Sequence, residues 1–323
     1  MQASSALFDD QFEPVYLPVC DHYAGSEKLM LKSMSLQNQL AGAFDITFDC
    51  EDGAAIGNEK AHAELIASLI NSDTNRFKRI GVRVHEPNHT HFAQDIETLL
   101  APSNALPAYL VLPKIENAAQ LVQAITKINA ITDAANQTRI AIHALIETHG
   151  ALAEVHQIAA HPQVACLSFG IMDFVSAHLG AVSAEAMHSP GQFTHPLVLR
   201  AKLEIAAACH RFGKVASHNV TTALDSPDSA FADAKRAFTE CGFTRMWSIH
   251  PMQIQAIIDA MTPNAHEIEE AIELLSMAQE QQWAPVRFKN RLHDRASYRY
   301  YWSLIKKAKI NQIALPKKAY NFA

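Results

Sequence analysis

The runs IAIHALIE and CLSFGIMD end in carboxylates, Glu147 and Asp173, after short apolar stretches of β-strand character. Two carboxylates on neighbouring strands suit a hard divalent cation, Mg²⁺ or Mn²⁺, which takes one or two protein oxygens and keeps its other positions for water and substrate. A 2-oxo acid would chelate such an ion through a carboxylate oxygen and its keto oxygen, and the ion would polarise the carbonyl. The same two residues would equally cap the following helices or partner a barrel arginine, and spacing alone leaves both readings open.

Arg83, in RIGVRVHE, is a cation inside a strand run, a costly place unless it meets a partner or a ligand. It can grip a substrate carboxylate or an enolate oxygen, pair with Asp49 or Glu51 of the preceding run, or do both. Other polar groups also fall at the ends of apolar runs: Glu51 and Asp52, His85, Lys114 and Glu116, His218 with Asn219, and His250. The runs themselves are nearly free of charge, His143 being the main exception. His218 and His250 read as hydrogen-bonding groups at the site's rim ahead of proton carriers. The stretch His85-Glu86-Pro87-Asn88-His89 matches H-E-x-x-H in letters, but Pro87 and the strand-like run before it disfavour the helix that motif requires.

What must position these groups is a strand–helix unit repeated eight times. The expected strands are Tyr16–Val19, Asp45–Glu51, Arg79–Glu86, Ala108–Ile115, Arg139–Glu147, Ala165–Asp173, Lys214–Thr221 and Arg245–Pro251. Helical spacing separates them, as where Leu121, Ile125 and Ile128 share one face. Alternation without hairpin signals predicts right-handed βαβ units, and eight of them fit a closed (β/α)8 TIM barrel of class α/β. An open doubly wound sheet is the alternative, but no G-x-G-x-x-G follows the first strand. In a barrel all eight βα loops converge at the C-terminal ends of the strands, so the polar groups named above would ring one mouth. After the eighth strand helices are expected with no further strand, around Ile257–Met261, Ala265–Gln282 and Ser297–Lys309. The division is therefore a catalytic barrel over 1–262 and a C-terminal helical arm or lid over 263–323.

Across its 323 residues the chain is 49% apolar with a formal net charge of −6, and it has no block of Lys and Arg, which argues against nucleic acid as a partner. No run has the length of a membrane span, and the N-terminus has no signal-peptide pattern. The five cysteines are scattered without C-x-x-C spacing, as expected of reduced thiols in a cytoplasmic protein.

The ordered set FDITFDCEDGA, GVRV, VLPKIE, LIET, FGIMDF and GFTRMWSIHPMQI, spread over Tyr16 to Lys309, resembles the citrate lyase β-subunit-like branch of the HpcH/HpaI aldolase superfamily, which includes malyl-CoA and citramalyl-CoA lyases. The resemblance implies a Mg²⁺-dependent, reversible carbon–carbon cleavage of a 3-hydroxyacyl-CoA thioester to a 2-oxo acid and an acyl-CoA. It implies Glu147 and Asp173 as metal ligands and Arg83 as the arginine on the reacting oxygens. Glu51 and Asp52 become the acidic pair that orders that arginine, with Lys114 and His250 on the substrate side. By the same resemblance Asp294 lies on an arm that covers the active site of an adjacent subunit, so a homo-oligomer, trimer or hexamer, is implied. Lys28 and Lys32, after the first strand, are either phosphate contacts for CoA or solvated helix lysines. The family commonly has asparagine where this chain has His85. Two other readings are a class II aldolase acting on free hydroxy-oxo acids without CoA, and a non-catalytic barrel subunit of a larger complex.

Overall fold

The computed structural model describes residues 3–8, 14–54, 56–224 and 226–322. A short helix α1 (Ala3–Phe8) precedes eight parallel strands that close in chain order into a barrel. The repeat runs β1 (Cys20–Ala24), α2 (Glu27–Gln39), β2 (Asp45–Asp49), α3 (Glu59–Asn71), β3 (Ile80–Arg83), α4 (Phe92–Leu99), β4 (Tyr109–Leu112) and α5 (Ala118–Ala134). It continues with β5 (Ala141–Ile146), α6 (His149–Ala153), α7 (Val155–Ala160), β6 (Val164–Phe169), α8 (Ile171–Ser176), α9 (Pro196–Arg211), β7 (Val215–His218), α10 (Pro227–Cys241) and β8 (Arg245–Ser248). Strand β8 pairs back onto β1, Cys20 opposite Met246. After β8 the chain continues through α11 (Pro251–Met261), which packs into the barrel's core, then α12 (Ala265–Glu280), a hairpin of β9 (Val286–Phe288) and β10 (Arg291–His293), and α13 (Arg295–Ile310).

Strands β2, β4, β7 and β8 are buried at every position, as required when one face fills the barrel and the other meets the helices. The stripe Leu121, Ile125 and Ile128 is the buried face of α5, whose N-terminus is capped by Asn117 accepting the Gln120 N–H at 2.8 Å. Proline occupies the first turn of α9, α10 and α11, where its missing N–H costs nothing. The apolar core falls into two clusters. One joins strands and surrounding helices; the other joins α12, the hairpin and α13 to Leu7 and Phe8 of α1. All five cysteines are buried free thiols. No helix among the described residues is long and apolar enough to cross a membrane.

Three expectations are corrected. The first strand is Cys20–Ala24 rather than Tyr16–Val19. The earlier segment instead runs beneath the barrel, Val15 N–H bonding Gly213 O at 2.9 Å and Val19 N–H bonding Asn311 Oδ1 at 2.9 Å. Second, strand interiors do carry charge. Fully buried Arg245 binds Asp45 at 2.7 Å and Asp21 at 3.0 Å, and Asp21 also accepts from Thr47 and Tyr109 at 2.8 and 3.1 Å. Charges paired in this way satisfy one another and tolerate burial. Third, the tail contains a hairpin, turned through Lys289 and Asn290, both in the left-handed region (φ 46° and 63°). Two consecutive residues of that conformation match the twist of a tight hairpin.

Candidate active site

At the C-terminal end of β3, Arg83 reaches across to β2 and grips Asp49 with both ends of its fork, Nε to Oδ1 at 2.8 Å and an Nη to Oδ2 at 2.5 Å. Its other Nη lies 3.1 Å from Glu51 Oε2. Asp49 also accepts the backbone N–H groups of Glu51 and Gly53 at 3.0 and 2.9 Å, so the loop after β2 folds around this one carboxylate. Only glycine fits at 53, because a Cβ there would fall 2.2 Å from Asp49 Oδ2.

The loop after β4 closes the set. The Lys114 ammonium pairs with Glu51 and lies 3.2 Å from Asp52 Oδ2. Burial works against that charge, but the two carboxylates outweigh it and hold the lysine protonated. Lys114 has a left-handed backbone (φ 49°), which turns its N–H onto Glu147 Oε1 at 2.7 Å. Thr148 Oγ1 ties the neighbouring loops together through Ile115 O at 2.7 Å.

Glu147 is 3% exposed, and burial together with the Asp173 carboxylate pushes it up to about 8. Gly170 lies against it; a Cβ there would come 2.3 Å from Glu147 Oε2. Asp173 stands on the first turn of α8 rather than at the end of β6, as had been expected, because the chain bends at Gly170 and winds at once into helix. Its carboxylate is exposed and makes no hydrogen bond or ion pair with the described residues. Asp173 is near enough to act on Glu147, and among the described residues neither carboxylate is bonded to a protein cation. Such a donor set fits a divalent ion, which would relieve the repulsion that raises Glu147. Among the described residues no three His, Cys, Asp or Glu groups converge as a metal cage, so an ion would complete its shell with non-protein oxygens.

Residues 24–251, most of the barrel, match the family model for HpcH/HpaI aldolase/citrate lyase. The chain belongs to the HpcH/HpaI aldolase/citrate lyase family. Members of this family are carbon–carbon lyases. A citrate lyase from Burkholderia xenovorans LB400 is 52% identical in sequence and superposes with a TM-score of 0.85, covering 97% of this chain and 98% of that one. The L-malyl-CoA/β-methylmalyl-CoA lyase of Cereibacter sphaeroides is 25% identical over 301 residues, 88% of this chain and 92% of that one. The protein CitE from Mycobacterium tuberculosis, in complex with magnesium, acetoacetate and coenzyme A, shares the fold at 19% identity with a TM-score of 0.65, over 92% of this chain and 98% of that one.

In this family member the remaining candidates are dispersed. His250 caps α11, its Nδ1 accepting the Met252 N–H at 3.4 Å, and it faces His22. His22 bonds Ser248 Oγ at 2.9 Å and is pushed down to about 4 by burial and then by His250. Lys28 and Lys32 are exposed on the first two turns of α2, and Lys32 also bears on His22. Asp294 caps α13 through the Ala296 and Ser297 N–H groups, so its hydrogen-bond partners all lie on its own helix.

His218 and Asn219, expected at the rim, are instead drawn into the barrel wall. Lys202, fully buried, donates to Gln192 Oε1 at 2.8 Å and lies 2.6 Å from His218 Nε2. Asn219 bonds the same Gln192 oxygen at 2.9 Å, and Gln192 and Thr221 hold Asp233 at 3.2 and 2.7 Å. Burial pushes Lys202 down to about 7. Nothing in the residue pattern announces this network or the His22–Ser248 bond, since their partners come from different elements of the chain.

Proposed function

We propose that this protein is a Mg²⁺-dependent lyase that cleaves, or in reverse forms, a 3-hydroxyacyl-CoA thioester of the malyl-CoA or citramalyl-CoA kind, releasing a 2-oxo acid and an acyl-CoA. The observation that carries this reading is the carboxylate pair Glu147 and Asp173, neither bonded to a cation among the described residues, beside the anchored guanidinium of Arg83. The name of the Cereibacter relative supports the thioester.

Glu147 and Asp173 would hold Mg²⁺, whose Lewis acidity polarises the keto group of the 2-oxo acid half. Arg83 stabilises charge on the reacting oxygens, and it can do so without reorganising because Asp49 and Glu51 fix its fork. Asp52 and Glu51 hold Lys114 at the rim, where its ammonium meets the substrate carboxylate; His250 lines the substrate side. In cleavage a base takes the 3-hydroxyl proton, the oxygen becomes the carbonyl of the 2-oxo acid, and the carbon–carbon bond breaks. The freed electron pair forms the thioester enolate, which is then protonated on carbon. Asp294 of the partner subunit handles that proton, delivered by residues 263–323 acting as an arm of a trimer or hexamer. Lys28 and Lys32 contact CoA phosphates from α2.

The test is cleavage of malyl-CoA, citramalyl-CoA and a free 4-hydroxy-2-oxo acid, each with and without Mg²⁺. Release of a 2-oxo acid from a thioester only when Mg²⁺ is present is the expected result. Cleavage of the free acid alone would assign a class II aldolase instead, and inertness toward all three would leave a non-catalytic barrel subunit.

A further inference from the structure

Next to Arg83 and Lys114 the mouth extends into a second chamber of about 430 Å³, which shares Glu51, Asp52 and Lys114 with the site described above. Its far wall is the loop after β3, and that loop presents three imidazoles. His85 and His89 stack with centroids 4.6 Å apart and planes 9° apart, and His91 lies 5.3 Å from His89. Each ring has one nitrogen engaged within the loop or by the first turn of α4. His85 Nδ1 bonds Asp95 Oδ2 at 2.7 Å, and that carboxylate holds the ring above the usual histidine range. His89 Nδ1 accepts the His91 backbone N–H at 3.3 Å, so the neutral ring carries its proton on Nε2. His91 Nδ1 faces Gln94 Oε1 at 3.4 Å, while its Nε2 stands 3.9 Å from Glu59. The wall is therefore fixed in place and still able to donate and accept on its second nitrogens.

The charge in the chamber narrows what it can take. Glu51, Asp52, Glu59 and Glu86 line it against a single lysine, Lys114, whose charge is already shared by Glu51 and Asp52. With Lys114 already taken up by the carboxylate of the 2-oxo acid itself, a second carboxylate entering here meets net repulsion from Asp52, Glu59 and Glu86. A methyl group would remove water from the imidazole edges without replacing its hydrogen bonds. A hydroxyl both donates and accepts, and it matches a wall of half-used imidazoles. Resting on the reading of Arg83 with Glu147 and Asp173 as the 2-oxo acid site, we infer that this chamber is a specificity subsite, formed by His85, His89 and His91, that selects a 2-oxo acid bearing a hydroxyl beyond its keto carbon. Sites that bond a substrate hydroxyl discriminate against analogues that lack it; here His85 is buried, His91 half-buried and His89 at the exposed rim, so the discrimination expected is modest.

The experiment is calorimetric titration of the full-length protein, with Mg²⁺ present, by 2-oxobutyrate, 4-hydroxy-2-oxobutyrate and 2-oxoglutarate. The first two differ by one hydroxyl, and the third ends in a carboxylate. The hydroxylated acid is expected to bind at least about tenfold more tightly than either other acid. The His89→Ala/His91→Ala double variant should bring its advantage over 2-oxobutyrate below about threefold, whereas His89→Gln, which keeps a polar group at the rim, should retain part of it. Because the readout is a ratio within one protein, it does not depend on how much of a variant is folded. Equal binding of the hydroxyl and methyl acids, tightest binding of 2-oxoglutarate, or a preference that survives the double variant would each overturn the inference while leaving the 2-oxo acid site intact. Failure of all three acids to bind, with or without Mg²⁺, would defeat the reading of that site and the inference with it.

Discussion

Arginine meets carboxylates at both ends of this barrel, and the two clusters are built to opposite specifications. At the lower end Arg245 is fully buried; it holds Asp45 and Asp21 at 2.7 and 3.0 Å and also donates to Pro18 O at 2.7 Å. All of its carboxylate partners come from strands β1 and β2. At the upper end Arg83 is anchored as firmly, by Asp49 at the end of β2 and Glu51 on the loop after it, but one pair nearby, Glu147 with Asp173, has neither member bonded to a cation among the described residues. The lower cluster spends its charges on one another and stabilises the fold. The upper one leaves charge unspent, which costs stability and provides a place for an ion and substrate.

The comparison can be broken by substitution. Arg245→Met should be the most damaging change to the fold, about 3–5 kcal/mol in urea unfolding, because Asp21 and Asp45 are left buried and uncompensated. Adding Asp21→Asn and Asp45→Asn should recover much of that loss. At the other end Glu147→Gln should behave in the opposite way. Its Mg²⁺-dependent turnover should fall about 10³-fold, roughly 4 kcal/mol of transition-state stabilisation. Its unfolding midpoint should hold or rise, because a carboxyl that burial and then Asp173 hold at about 8 is replaced by a neutral amide; a midpoint that drops with activity would mean the pair is structural.

Asp294→Asn separates the two jobs of one residue. Asparagine caps a helix as well as aspartate does, so stability should stay within about 0.5 kcal/mol. Turnover should fall about 10²-fold if the carboxylate carries a proton, and unchanged steady-state kinetics would remove it from the mechanism.

The last effect is read as a slope with pH rather than as a single loss, and it concerns Lys202, which is buried like Arg245 but has Gln192 and His218 as its hydrogen-bond partners. Its folded value of about 7 lies below the ordinary lysine value of 10.5, so the unfolded chain binds the extra proton between those limits. Stability should therefore rise with pH across that window, by about 1.4 kcal/mol per pH unit. Unfolding of Lys202→Met at several pH values should lack that slope, and an equal slope in the variant would place its origin elsewhere.

Much of this architecture was legible before the structure because its causes are local. The α5 stripe of Leu121, Ile125 and Ile128 follows from helical spacing alone, and Glu147 could be placed because an apolar run stops at it. What escaped depends on partners distant in the chain. β1 was misplaced since Asp21 and His22 look like loop residues until Arg245 and Ser248 are brought to them; His22 and Ser248 are 226 positions apart. The β9–β10 hairpin carries no glycine to announce its turn. His218 ends a strand as a rim residue would, and only the packing of α9 turns it toward Lys202 instead.

Lys114 leaves a different kind of mark. Its backbone and its side chain serve two separate structures, the N–H holding Glu147 and the ammonium holding Glu51 and Asp52. A left-handed backbone costs a lysine about 1 kcal/mol that glycine would not incur, so the conformation by itself favours glycine at this position. Lys114→Gly would keep the bond to Glu147, relax the chain and free the acidic loop, while Lys114→Pro would cut the bond to Glu147 as well. The position therefore mutates as two residues would. Any drift in sequence there trades the geometry of β5 against the charge balance of the loop after β2, which makes it a pivot for how relatives on this scaffold can diverge.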